Sequence, residues 1–221
     1  MEMTPERWAK TCAYLGGVVG GDEGALAGIM ERAVRAGIPD IAVSADVGRL
    51  LLLLTRMTGV RRALELGTLA GYSGTWIARG MEDGGRLYTV EPEAKHADFA
   101  ARTFEENGVG DRVTIMRTTA LEAISSLHGE YGDASFDLIF ADAIKSEYPD
   151  YWRACRGMIR RGGVFIADNA LGSDSWWIDS PGSNTASSSG ADALNRIVCA
   201  DAEFDAGIVT NRQGVLIARR K

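Results

Sequence analysis

ALELGTLAGYSG, residues 63–74, decides how the rest of the chain is read. It opens as a short apolar strand, closes on glycine and runs into a helix-forming segment. That is the layout of a ligand-holding turn after the first strand of an α/β sheet. A dinucleotide turn spaces its glycines G-x-G-x-x-G so that backbone can approach a pyrophosphate. Here the glycines fall at Gly67, Gly71 and Gly74, which is G-x-x-x-G-x-x-G. Gly-rich strand-to-helix turns are common, so the surroundings have to say what this one holds.

Downstream, short apolar runs alternate with helical spacing. RRALELG (61–67), GRLYTVEP (85–92), RVTIMR (112–117), SFDLIFAD (135–142) and GGVFIADN (162–169) read as strands. Between them YSGTWIARGM (72–81), residues 93–107, Ala120–Leu127 and YPDYWRACRGMI (148–159) read as helices. This alternation argues a parallel sheet with helices on both faces. DLIFA and GVFIA are apolar on both faces, as central parallel strands are. After a helix over ADALNRIVCA (191–200), FDAGIVT (204–210) and GVLIARR (214–220) are joined by only a few residues, which requires an antiparallel pair.

Upstream, residues 5–37 carry the spacing of two helices with a Gly-rich break at Gly16–Gly21. Residues 45–58 read as a helix capped by Ser44 and stopped by Gly59, with Leu50–Leu54 as its buried side. One domain is expected: a helical cap over 1–42 on a core over 43–221.

Composition narrows the function. Hydrophobic residues make up 46% of the chain, enough for a substantial core, and only the Ser-rich patch near 183–189 reads as disordered. A net charge of −6 argues against a nucleic-acid surface. Cys12, Cys155 and Cys199 are far apart and form no CxxC, so neither zinc nor a disulfide framework is expected, which fits a reducing cytoplasm. MEMTPERWAK lacks a signal-peptide core, and the longest apolar run, Leu50–Leu54, is too short to span a membrane.

Several side chains can carry chemistry. Asp142 closes one central strand; Asp168 and Asn169 close another. On neighbouring strands these would share one sheet edge beside the Gly67 turn. Two carboxylates and an amide carbonyl are hard ligands, suited to Mg²⁺ or Ca²⁺ rather than zinc. The plainer reading makes them capping and turn residues. Glu91 ends the second strand, where an acidic group can accept from ribose hydroxyls, or else is a solvated carboxylate at a helix start. Lys145, three residues after Asp142, is a general base if a nearby cation and partial burial lower its pKa, and otherwise a surface lysine. His96 and His128 form no ligand cluster and are expected at the surface. Trp176 and Trp177 either wall a flat acceptor or anchor a loop. SPGSNTASSSG (180–190) is either a closing lid or an inert insertion.

LELGTLAGYSG, TVEP, FADAIKSEY and GGVFIADNAL, in that order, resemble the class I metal-dependent S-adenosylmethionine (SAM) O-methyltransferases. This is the family of catechol and caffeoyl-CoA O-methyltransferases, and the resemblance covers roughly residues 43–221. It implies a Rossmann-like fold with a seven-stranded, mostly parallel sheet and an antiparallel C-terminal strand pair. It implies SAM contacts from Val43, Glu65, Gly67, Ser73, Glu91, Ala120 and Asp142, with the first loop cradling the methionine part and Glu91 the ribose. SAM has no pyrophosphate, which accounts for the glycine spacing. It further implies Mg²⁺ (or Ca²⁺ or Mn²⁺) on Asp142, Asp168 and Asn169, with Lys145 as base beside a catalytic Asp142. The acceptor would be a small hydroxylated molecule with adjacent oxygens, a catechol-like phenol or a vicinal hydroxyl pair of a natural product. A cytoplasmic homodimer is expected.

One position departs from the pattern: relatives of the caffeoyl-CoA type read D-A-D-K, whereas this chain reads Asp142-Ala143-Ile144-Lys145. Two other classes compete. The glycine spacing and the antiparallel pair speak against a nicotinamide-dependent reductase. A non-catalytic SAM-binding module would have no use for Asp142, Lys145, Asp168 and Asn169 together. An N-methyltransferase motif of the N-P-P-Y kind is missing, since no two of the five prolines are adjacent.

Overall fold

The computed structural model describes residues 4–19, 24–172, 178, 185–210 and 213–221. The helices among them are α1 (Pro5–Val19), α2 (Ile29–Arg35), α3 (Ala45–Thr58), α4 (Tyr72–Gly80), α5 (Ala94–Glu106), α6 (Ala120–Tyr131), α7 (Tyr148–Cys155) and α8 (Ala186–Cys199). The strands are β1 (Arg62–Leu66), β2 (Arg86–Val90), β3 (Val113–Met116), β4 (Phe136–Ala141), β5 (Ile159–Asp168), β6 (Phe204–Val209) and β7 (Val215–Arg220). They form one sheet in the order β3-β2-β1-β4-β5-β7-β6. A dinucleotide sheet runs 3-2-1-4-5-6. Here β7 inserts between β5 and β6 and pairs antiparallel with both.

Strand register positions the site. Leu66 pairs with Val90 on one side and Ala141 on the other, and Ala141 pairs with Ala167. The C-terminal ends of β2, β1, β4 and β5 therefore finish level. The turns that leave them meet at one edge, at the β1/β4 switch point where the strand order reverses.

Side chains alternate across the sheet. Leu64 and Leu66 join Ile124, Tyr148, Trp152 and Leu194 in the core under α6, α7 and α8. Ala63, Leu138 and Phe140 point the other way, toward Val47, Leu51, Trp76 and Phe104 of α3, α4 and α5. Glu65 shares parity with Ala63 and so faces α4.

Four local expectations are corrected. Helix α1 runs through Gly16 and Gly17 and ends at Val19, so it stops inside the expected Gly16–Gly21 break but later than its first glycine. The leucine run is not one buried side: Leu51 is in the core but Leu53 is 55% exposed, because consecutive residues of a helix point in different directions. Helix α7 ends at Cys155, since Ile159 already pairs with Phe136 and belongs to β5. Helix α8 starts within the patch read as disordered. Thr185 caps it in a reciprocal box with Ser188, and Ser188 is fully buried. Serine is a good residue at a helix start because its hydroxyl satisfies a free backbone N–H. Among the described residues, no helix is long and apolar enough to cross a membrane.

Candidate active site

The Gly67 turn is held from below. Gly67 N and Thr68 N both donate to Val90 O, at 3.2 and 3.1 Å. Gly67 has φ +101°, and a Cβ there would lie 2.3 Å from Asp142 O, so only glycine lets the first turn pass this close to the end of β4. Glu65 lies fully buried under the turn. Its Oε1 accepts from Ser73 Oγ at 2.6 Å and its Oε2 from Thr89 Oγ1 at 2.5 Å. A Cβ on Gly74 would come within 2.6 Å of Glu65 Oε2, which accounts for the third glycine of the motif. Burial, with a smaller contribution from Asp142 and Glu91, raises the Glu65 carboxyl to about 7 against the two hydroxyl hydrogen bonds that lower it.

Glu91 stands just before α5 but is buried rather than solvated, at 7% exposure. Its Oε1 accepts from Glu93 N at 3.0 Å, at the start of α5, and its Oε2 from Leu69 N at 2.9 Å, in the first turn. Each carboxylate oxygen retains acceptor capacity beyond these single bonds. His96 is not the surface residue expected: its side chain is 20% exposed, with Nδ1 3.5 Å from Glu91 Oε1. His128 is at the surface, with Nε2 2.9 Å from Asp133 Oδ1.

The ends of β4 and β5 bring the remaining groups together. Asp142 N donates to Leu66 O at 2.8 Å, and the Asp142 carboxylate is in direct contact with the Lys145 ammonium. Lys145 is not solvated as a surface lysine would be: its side chain is 12% exposed, and its Nζ is 5.2 Å from the centroid of the Tyr148 ring. Tyr148 Oη lies 3.0 Å from Ala141 O and 3.1 Å from Asp168 O, tying the two strand ends together. Burial holds the Tyr148 phenol well above its ordinary pKa, so it stays a donor. Asp168 and Asn169 are both buried, and Asn169 adopts φ +56°. Asn169 Nδ2 donates to Gln213 Oε1 at 2.5 Å, so the amide offers its carbonyl oxygen elsewhere.

One cavity of about 670 Å³ gathers these residues. Val43, Gly67, Ser73, Glu91, Ala120, Asp142, Lys145, Asp168 and Asn169 all line it. Glu65 is the exception: it does not line the cavity, because strand alternation turns it toward α4, and it meets lining residues through Ser73 directly and through Thr89 to Thr68. Trp176 and Trp177 lie outside the described residues. Ile41, Tyr151 and Gln213, which carry no signal in the sequence, also line the cavity, as do His96 and Ile144, the residue that departs from the D-A-D-K pattern. Ile41 and Ile144 are 68% and 58% exposed.

Among the described residues, no three of His, Cys, Asp and Glu gather as a ready metal cluster. The set at the strand ends is two carboxylates and one amide carbonyl, all oxygen, which suits a hard divalent cation with its other positions filled by water or ligand.

Comparison with known proteins shows which family the chain resembles. The family described as O-methyltransferase matches residues 19–221. A catechol O-methyltransferase of Mycobacterium tuberculosis is 39% identical over 159 residues, covering 72% of this chain and 70% of that protein. The O-methyltransferase of Bacillus cereus, solved in complex with S-adenosylhomocysteine (SAH), superposes with a TM-score of 0.88 at 31% identity, covering 98% of this chain and 99% of that one. The O-methyltransferase TomG of Streptomyces achromogenes, involved in tomaymycin synthesis and solved with SAM, gives 0.87 at 31% identity over the full length of both chains.

Proposed function

This chain belongs to the O-methyltransferase family and is a SAM-dependent O-methyltransferase, and we propose that it methylates one of two adjacent oxygens on a small molecule with the help of a divalent cation. The observation that carries this reading is the convergence of the Gly67–Ser73 turn, Glu91, Asp142, Lys145, Asp168 and Asn169 on one cavity. The turn and Ser73 cradle the methionine part of the methyl donor, and Glu91 accepts from its ribose hydroxyls. Glu65 holds Ser73 in position from behind. Asp142, Asp168 and Asn169 hold the cation, Mg²⁺ first.

When bound, SAM supplies an electrophilic methyl group and the cation lowers the pKa of an acceptor hydroxyl. Lys145, beside Asp142, would take the proton from that hydroxyl, so that its oxygen bonds the methyl carbon as the methyl–sulfur bond breaks and SAH leaves. Much of the acceleration comes from holding the two reactants in line. A catechol is the acceptor of choice for a first assay, since its two neighbouring oxygens can both face the Asp142 side. The relatives named for catechol methylation support the same choice. Isoleucine at 144 in place of a second aspartate leaves the ligand position at Asp142 intact and makes the neighbouring wall apolar.

Calorimetry with SAH and with NADH in parallel tests the cofactor, and methyl transfer from SAM to catechol with Mg²⁺ or with EDTA tests the metal. SAH binding alone and turnover abolished by EDTA are expected. NADH binding alone would overturn the cofactor assignment; full turnover in EDTA would overturn the metal.

A further inference from the structure

Helix α8 packs against the turn that carries Lys145, and the closest approach is backbone to backbone. A Cβ on Gly190 would lie 2.1 Å from Lys145 O, 2.7 Å from Ser146 Cα and 2.9 Å from Lys145 C. Real Cβ atoms essentially never come closer than 3.0 Å, so any side chain at 190 must push the helix and the turn apart. The atoms in the way belong to the main chain, so no rotamer change relieves the clash. Lys145 O is engaged already: it accepts from Tyr148 N and closes the short 3₁₀ turn Lys145–Glu147. Pushing on this oxygen therefore moves the Lys145 turn as a body.

The same helix reaches the other side of the site. Asn195 Nδ2 donates to Ala170 O at 2.6 Å, one residue past Asn169. Gly190, Ala191 and Leu194 are buried, and the box between Thr185 and Ser188 secures the first turn of the helix. One rigid element thus touches both the turn after β4 and the turn after β5.

We propose that α8 is the strut that sets Lys145 against Asp142, with Gly190 as a positioning residue for the base. The functional half of this rests on the general-base reading of Lys145; the strut itself rests on the contact at Gly190. A plain packing glycine would lower stability when substituted and leave the Lys145–Asp142 contact alone. A positioning glycine would alter that contact in a protein that still folds.

The chain has four lysines, Lys10, Lys95, Lys145 and Lys221, so a ¹⁵N spectrum of the side-chain ammonium groups is simple and a Lys145→Ala variant assigns the signal. In Gly190→Ala the Lys145 signal is expected to move toward the position of an unpaired lysine. Lys95 should stay in place, and SAH affinity by calorimetry should remain within about twofold of wild type. An unmoved Lys145 signal in folded Gly190→Ala overturns the proposal. Should that variant fail to fold, Thr185→Val loosens the helix start without adding bulk over Lys145; it should move the same signal by less, and an unmoved signal again overturns the proposal. Catechol turnover by Lys145→Ala at the wild-type rate would instead remove the general-base reading while leaving the strut, read from the wild-type and Gly190→Ala spectra, standing.

Discussion

Ser73 Oγ donates to Glu65 Oε1 at 2.6 Å, so a residue that lines the cavity is held by a carboxylate that does not. Glu65 has no exposed surface and carries a pKa near 7, chiefly because burial penalises its charge. A carboxyl raised in the folded state contributes stability that is full below about 4.5, its ordinary value, and is lost as pH rises toward about 7. The loss amounts to roughly 3 kcal/mol. Thermal melts across that window should show wild type losing stability relative to Glu65→Gln, whose amide does not titrate. Parallel curves for the two proteins would mean that Glu65 titrates normally.

Asp142→Ala should leave SAH binding within a few-fold of wild type and cut Mg²⁺-supported turnover on the order of 100-fold or more, because it removes one of two carboxylates from an all-oxygen set. Calorimetry with SAH and a methyl-transfer assay in excess Mg²⁺ read the two effects separately. Wild-type turnover in the variant would remove Asp142 from the ligand set.

Lys145→Ala should lower kcat by about 100-fold or more while the acceptor KM changes little, since a general base acts in the transition state rather than in binding. Steady-state kinetics at saturating SAM make the distinction. An effect confined to KM would reassign Lys145 to acceptor binding.

Gly67→Ala combines an unfavourable φ of +101° with a Cβ 2.3 Å from Asp142 O. The strain should cost about 1–3 kcal/mol of stability and loosen the turn against β4. SAH affinity should fall about tenfold, the equivalent of 1.4 kcal/mol. Gly129→Ala, on helix α6 with nothing within 4 Å of the added Cβ, is the control and should bind SAH as wild type does. Equal affinity in both variants would mean that the turn does not need its close approach.

Part of the site is legible in the amino-acid sequence because its signals are local. A central parallel strand is a run of apolar residues, so DLIFAD and GVFIADN announce both themselves and the polar residues that end them. That puts Asp142, Asp168 and Asn169 at strand ends, and Gly67 at a turn. The direction of Glu65 is legible too: Ala63 and Glu65 share one face of β1, away from Leu64 and Leu66, and only the habit of assigning the acidic residue to the ligand obscures it. Composition misleads at 186–189, where four small residues read as a linker. A helix start tolerates serines well once Thr185 and Ser188 cap each other and α7 covers the buried side.

The amino-acid sequence by itself determined the order of strands and helices, the glycines at which the chain can turn tightly, and the identity of the oxygen and nitrogen groups available for chemistry. Apolar periodicity and turn chemistry act over a few residues, so they need no partner from elsewhere in the chain. Only the tertiary structure decided which groups meet. Gln213 orients the Asn169 amide across 44 positions, His96 comes beside Glu91, and Gly190 meets the carbonyl of Lys145. Such contacts depend on strand register and on the angle at which one helix crosses a turn. Both are set by packing over the whole core rather than by the residues that finally touch.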